Sequence, residues 1–149
     1  KEDKKQYFGK DLEDLTAARN YYKWIIEIFR PFLGDTVAEI GAGNGNFTNF
    51  LAEEKIKNIF AFEPSNNMYP LLSNKFKKNS RITTINKLFG GKYREFINFF
   101  DSVLYINVLE HIEDDKQELE YAYKTIKKNG HILIFAPALS FLFIYMNNF

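Results

Sequence analysis

A chain of 149 residues that is 46% hydrophobic and 26% charged holds enough apolar material for one globular domain with a real core, which argues against a disordered chain. Its 20 lysines and arginines face 19 aspartates and glutamates, a formal net charge of +1, and no basic run is interleaved with aromatics, so no nucleic-acid groove is evident. The absence of cysteine excludes disulfides, thiolate metal sites and a cysteine nucleophile.

Residues 1–15, KEDKKQYFGKDLEDL, are too charged for a secretory leader and read as a charged arm or a lid, with the domain proper over 16–149. Ala17 to Phe32 reads as a helix, because Tyr21, Trp24, Ile25, Ile28, Phe29 and Phe32 recur at three- and four-residue spacing. Pro31 and Gly34 mark its end, and Trp24 and Phe29 read as core. A strand over Thr36–Ile40, a helix over Asn46–Glu54, a strand over Asn58–Glu63 and a helix over Met68–Lys78 follow, with Pro70 in the last helix's first turn. The strand RITTIN, a Gly90-Gly91 loop and a short aromatic helix, KYREFINFF, come next. A strand over Asp101–Asn107, the helix DDKQELEYAYKTIKK and the strand GHILIFAP complete the series, with Gly130 at the expected C-cap.

Strands alternating with amphipathic helices give an α/β fold, an open, doubly wound and mainly parallel sheet with helices on both faces. The most apolar stretch, Ile132 to Met146, contains Pro137 and falls short of the ~20 residues a membrane span needs, so the expectation is a soluble cytoplasmic protein. Its last part, Pro137 to Phe149, reads as a buried cover or as the lining of a hydrophobic acceptor site.

The stretch VAEIGAGNGNFT is a strand–loop–helix junction, since the residues after it have helical rather than alternating spacing. Glycines there allow positive φ and close approach of a ligand to the helix N-terminus. The third glycine of Gly41-Ala42-Gly43-Asn44-Gly45 comes one residue early for the dinucleotide pattern G-x-G-x-x-G. Glu39 before the loop disfavours a phosphate and suits a cation, while Glu63 at the end of the second strand suits the two hydroxyls of a ribose.

VAEIGAGNGNFT, FEPSNNM, FDSVLYINVLEHI and IKKNGHILIFAPA, in that order, resemble the successive motifs of class I S-adenosylmethionine-dependent methyltransferases, over roughly Tyr21 to Ala138. The resemblance implies a Rossmann-like sheet of strand order 3-2-1-4-5, with the family's sixth and seventh strands missing from this sequence. It implies S-adenosylmethionine as cofactor and S-adenosylhomocysteine as product, with Glu39, Gly41, Ala42, Gly43 and Gly45 under the methionine part and ribose. Glu63 would hold the ribose hydroxyls, followed by Pro64 and by Met68 against the adenine, although Met68 also suits plain core packing. Asn86 stands near the position where the family often carries an acid facing the adenine amino group. Asn107 and Val108 would lie along the methionine side, and Tyr21 or Tyr22 near its carboxylate.

Of the two histidines, only His111 follows the carboxyl end of a strand, where doubly wound sheets bind ligands. It is the candidate general base, since imidazoles titrate near neutral pH; its alternative is to cap or pack the next helix. Glu110 and His111 alone make no metal site. The function implied is methyl transfer to a small-molecule acceptor, through oxygen, nitrogen or carbon. The alternatives are a catalytically silent cofactor-binding or scaffold domain and, against the loop spacing, a nicotinamide dehydrogenase.

Overall fold

Helix α1 spans residues 17–29 of the computed structural model, which describes residues 17–136. The readings of residues 1–15 and of Pro137 to Phe149 lie outside the described residues. A 3-10 turn over Arg30–Phe32 ends α1, with Pro31 inside it, where the sequence reading ran the helix on to Phe32.

Five strands follow: β1 (Thr36–Ile40), β2 (Asn58–Phe62), β3 (Ile82–Ile85), β4 (Phe100–Ile106) and β5 (Ile126–Phe135). Between them lie α2 (Asn46–Glu53), α3 (Tyr69–Phe76) and α4 (Asp115–Thr125). The strands form one parallel sheet in the order β3-β2-β1-β4-β5, as the resemblance implied. β1 is central and buried at every position, so it carries no polar alternation.

Each face of the sheet has its own core. On one, Ile25, Ile26 and Phe29 of α1 pack with Leu51 of α2, Leu72 and Phe76 of α3, and Val37 and Leu104 of the sheet. On the other, Phe62, Phe89, Phe100, Val103 and Tyr105 pack against Ala122 of α4. Leu51, Leu72 and Leu104 are fully buried, each side chain contributing about 2 kcal/mol through area removed from water.

Two expected elements differ, and the differences are linked. The aromatic helix KYREFINFF is instead a pair of 3-10 turns, Phe89–Gly91 and Tyr93–Phe96. Asn98 then takes a left-handed φ of 51°. The N–H groups of Asn98 and Phe99 donate to the carbonyls of Lys124 and Thr125 at 3.1 and 2.7 Å. These are the last carbonyls of α4, which therefore stops at Thr125, three residues before the expected Lys128.

Gly130 is correspondingly no C-cap and lies within β5. The register passes from Phe100↔Ile126 to Ser102↔His131, so residues 127–130 bulge out of the ladder. Lys127 is drawn to Asp101 at 2.8 Å, and a Cβ on Gly130 would stand 2.9 Å from the Asp101 carbonyl. Asp101 also accepts from the N–H of Thr36 at 2.8 Å, so the amino ends of β1, β4 and β5 are tied together. That end is anchored, and the carboxyl end carries the loops.

Trp24 is also not a core residue. α1 turns Ile25, Ile26 and Phe29 to the sheet and leaves Trp24 51% exposed, on a stripe with Tyr21, Ile28 and Phe32 beside the β5 edge. No helix among the described residues is long and apolar enough to cross a membrane.

Candidate functional site

The chain leaving β1 turns through Gly41, Gly43 and Gly45 at φ values of 71°, 57° and 79°, a left-handed path that costs an L side chain roughly 1–2 kcal/mol per residue. The N–H groups of Gly41 and Ala42 both donate to the Phe62 carbonyl at 2.9 Å, sewing the loop to the end of β2.

The three glycines serve different needs. A Cβ on Gly41 would stand 2.2 Å from Cγ2 of Val108, so this glycine lets the turn after β4 close onto the loop. A Cβ on Gly45 would stand 2.5 Å from Cε2 of Phe76 and 2.8 Å from Cδ1 of Leu72, which seats α3 against the start of α2. At Gly43 a Cβ would meet nothing within 4 Å. That glycine borders open space beside a carboxyl group.

The carboxyl group belongs to Glu63, which is buried. Its Oε2 accepts from the Gly43 N–H at 2.7 Å and its Oε1 from the Ser65 N–H at 2.8 Å. A carboxylate has about four acceptor positions, so two remain for a ligand. Asn86 donates its amide to the Glu63 carbonyl at 3.0 Å. It thus braces the turn after β2 and spends one of its two donors there. Pro64 and Met68 lie exposed on the same turn, Met68 at the N-cap of α3 rather than in the core.

Glu39 lies beneath the loop, 2% exposed, and its Oε2 accepts from the Thr48 hydroxyl at 2.6 Å. Burial raises its pKa from 4.5 to about 8, against the lowering effects of Thr48 and of nearby Lys75. Burial thus favours the protonated form, which works against the expected negative charge beneath the loop and towards a neutral hydrogen-bonding group. Thr48 was not singled out in the sequence; it sits on the buried side of α2, nine positions from Glu39, and only the crossover brings the two together.

Lys75 was also unforeseen. Its Nζ donates to the Gly45 carbonyl at 3.1 Å and to Oδ1 of Asn46 at 3.3 Å, holding the end of α3 to the start of α2.

The turn after β4 completes the site. Asn107 adopts φ 53°, uncommon for a residue with a Cβ, and its N–H donates to the Phe135 carbonyl at 2.7 Å. Its side chain and the Tyr21 hydroxyl exchange hydrogen bonds at 3.0 and 3.1 Å, so α1 reaches across to β4. Tyr22 instead packs edge-on against Phe47 at 5.6 Å.

His111 ends the 3-10 turn Leu109–His111 and is exposed beside exposed Glu110. His131 pairs with Ser102 at the opposite end of the strands, its ring 5.3 Å from Phe32. Among the described residues, no group of three or more acidic or histidine side chains could hold a metal ion.

The comparisons with known proteins agree in kind. Residues 38–132 match a family model described as a methyltransferase domain. A curated relative, the mitochondrial ubiquinone biosynthesis O-methyltransferase of Dictyostelium discoideum, is 27% identical over 126 residues, covering 77% of this chain and 39% of its own length. The chain therefore spans well under half of that relative. A structure of a proposed S-adenosyl-L-methionine-dependent methyltransferase from Methanococcus maripaludis superposes with a TM-score of 0.72 at 19% identity, over 93% of this chain and 70% of that one. The N-methyltransferase NodS from Bradyrhizobium japonicum, solved with S-adenosyl-L-homocysteine, gives 0.68 at 18% identity, over 78% and 60%. At these identities the likeness is one of fold.

Proposed function

Since the chain belongs to the methyltransferase-domain family, we propose that it binds S-adenosylmethionine at the loop Gly41–Gly45 and transfers its methyl group to a small-molecule acceptor. The observation that carries this reading is the pairing of Gly43 with Glu63. Open space lies where a Cβ would stand, beside a buried carboxyl group whose two oxygens each bind one backbone N–H and keep acceptor positions in reserve.

In this reading Glu63 accepts from the ribose hydroxyls, Pro64 and Met68 border the adenine, and Asn86 holds the turn that aims Glu63. Gly41, Ala42 and Gly45 shape the path of the loop, and Glu39 supports it from below through Thr48. Asn107 and Val108 flank the methionine end. Their support is proximity: Val108 touches the loop at Gly41, and Asn107 is the next residue back.

When bound, S-adenosylmethionine would supply a methyl carbon on a sulfonium, open to an oxygen, nitrogen or carbon nucleophile, with the carbon–sulfur electron pair leaving on sulfur. The protein's task is alignment, and holding both reactants in line supplies much of the rate. A base is needed only where the nucleophile starts protonated. His111, exposed just past β4, is the candidate to take that proton.

Calorimetric titration with S-adenosylhomocysteine tests the reading. Saturable binding is expected, weakened by roughly 1–3 kcal/mol in Glu63→Ala, where charged hydrogen bonds are lost. No binding by the intact protein overturns the assignment, and unchanged affinity in Glu63→Ala removes Glu63 from the site. Methyl transfer to a candidate acceptor then separates an enzyme from a silent binding domain.

A further inference from the structure

The carboxyl end of β5 carries an aromatic seam that holding the cofactor does not require. The ring of Phe135 is met edge-on by two rings of α1: Tyr21 at 5.5 Å and 83°, and Trp24 at 5.6 Å and 88°. Trp24 remains 51% exposed and Tyr21 36%, so each ring gives only part of its surface to Phe135. Single exposed aromatics need no explanation, but this pair is continuous with Ile28 of α1 and Phe32 of the 3-10 turn that follows it, 43% and 45% exposed.

The seam is tied to the proposed transfer site at two points. The Tyr21 hydroxyl bonds the side chain of Asn107, and the Phe135 carbonyl accepts the Asn107 N–H. Val108, the next residue, contacts the glycine loop. One turn of chain thus separates the aromatic rings from the loop proposed to hold the cofactor.

We propose that Tyr21, Trp24 and Phe135 form the wall that receives the methyl acceptor, and that the acceptor is a phenol: a flat apolar ring carrying the hydroxyl to be methylated. The proposal rests on the cofactor reading above. Aromatic rings bind one another in offset or edge-to-face arrangements, and two partly free ring surfaces offer a third ring both kinds of contact. The polar groups at the inner end of the seam, the Tyr21 hydroxyl and the Asn107 amide, are uncharged; each donates to the other, and they keep acceptor positions and one Asn107 N–H for a ligand. That pair suits a hydroxyl, whereas an ammonium or carboxylate would call for a charged partner.

Trp24 is the chain's only tryptophan, so its fluorescence reports directly on the wall. Protein saturated with S-adenosylhomocysteine is titrated with 4-hexylresorcinol, a phenol with an apolar tail, and separately with ethanolamine, a small polar amine. A saturable change in Trp24 emission is expected with the phenol and none with the amine. In Phe135→Leu, which keeps an apolar side chain but removes the ring, the apparent Kd of the phenol should rise about three- to tenfold. In the same variant the calorimetric Kd of S-adenosylhomocysteine should change less than about twofold, which also shows that the fold is intact. A flat signal, an equal response to ethanolamine, or an unchanged phenol Kd in Phe135→Leu overturns the aromatic wall while cofactor binding persists. Failure of S-adenosylhomocysteine to bind the unaltered protein overturns the reading beneath it.

Discussion

Replacing Glu39 with glutamine should make the protein more stable at neutral pH, and the gain should grow with pH. Glu39 is 2% exposed and its pKa is raised by burial from 4.5 to about 8. Between those values the folded protein keeps the Glu39 proton while the unfolded chain has lost it. Folding then binds a proton, and stability falls as pH rises through the window. At about 1.4 kcal/mol per pH unit, the loss reaches roughly 3 kcal/mol by pH 7 and roughly 4 kcal/mol by pH 8, where the folded protein begins to lose the proton too. A glutamine carbonyl still accepts from the Thr48 hydroxyl but does not titrate.

Urea unfolding followed by far-ultraviolet circular dichroism at pH 5, 6, 7 and 8 is the assay. The pH-dependent part of the difference should be roughly 1 kcal/mol at pH 5, and Glu39→Gln should gain steadily above it. Glu118, also raised by burial, contributes the same sign of slope to both proteins and cancels in the difference. Parallel stability curves would refute the argument, because they would mean that Glu39 is ionised beneath the loop.

The neighbouring cation offers a check by the same assay. Lys75 lowers the pKa of Glu39, so Lys75→Met should extend the fall in stability to higher pH, and an unmoved profile would remove Lys75 from the electrostatics of the loop. Gly43→Ala and Gly41→Ala should separate binding from folding. Both take a left-handed φ, but only at Gly41 does the new methyl meet Val108. Gly43→Ala should cost roughly 1–2 kcal/mol of stability, lose more in S-adenosylhomocysteine affinity, and melt above Gly41→Ala; the reverse order of melting would contradict the packing. Tyr105→Phe removes the hydroxyl that donates to Oε1 of buried Glu118 at 3.2 Å, and should lower stability by roughly 1–3 kcal/mol. An unchanged thermal midpoint would show that Glu118 finds another partner.

The parts legible in the sequence are those whose cause is local. A glycine loop between an apolar run and a helical repeat announces strand, turn and helix, because positive φ and helical spacing are properties of neighbouring residues. Glu63 is legible because the βα unit has a nearly fixed length, which brings the end of β2 beside the loop. Where the reading failed, the cause lay across the sheet. KYREFINFF and IKK both have the composition of helices, yet each decides the other's fate: Asn98 and Phe99 spend their N–H groups on the last carbonyls of α4, ending that helix and preventing their own. No window along the chain contains both halves of that exchange. Trp24 failed for a related reason. A three-four spacing marks a wide apolar face but not which part of it meets a sheet and which overhangs an edge. Ile25 and Ile26 meet the sheet, whereas Trp24 overhangs β5 beside Phe135. Half-exposure of the lone tryptophan at the carboxyl end of the sheet, where ligands bind in doubly wound folds, is thus the feature periodicity hides and topology exposes. The same misplacement that makes Trp24 a poor core residue puts an indole where an acceptor ring can reach it.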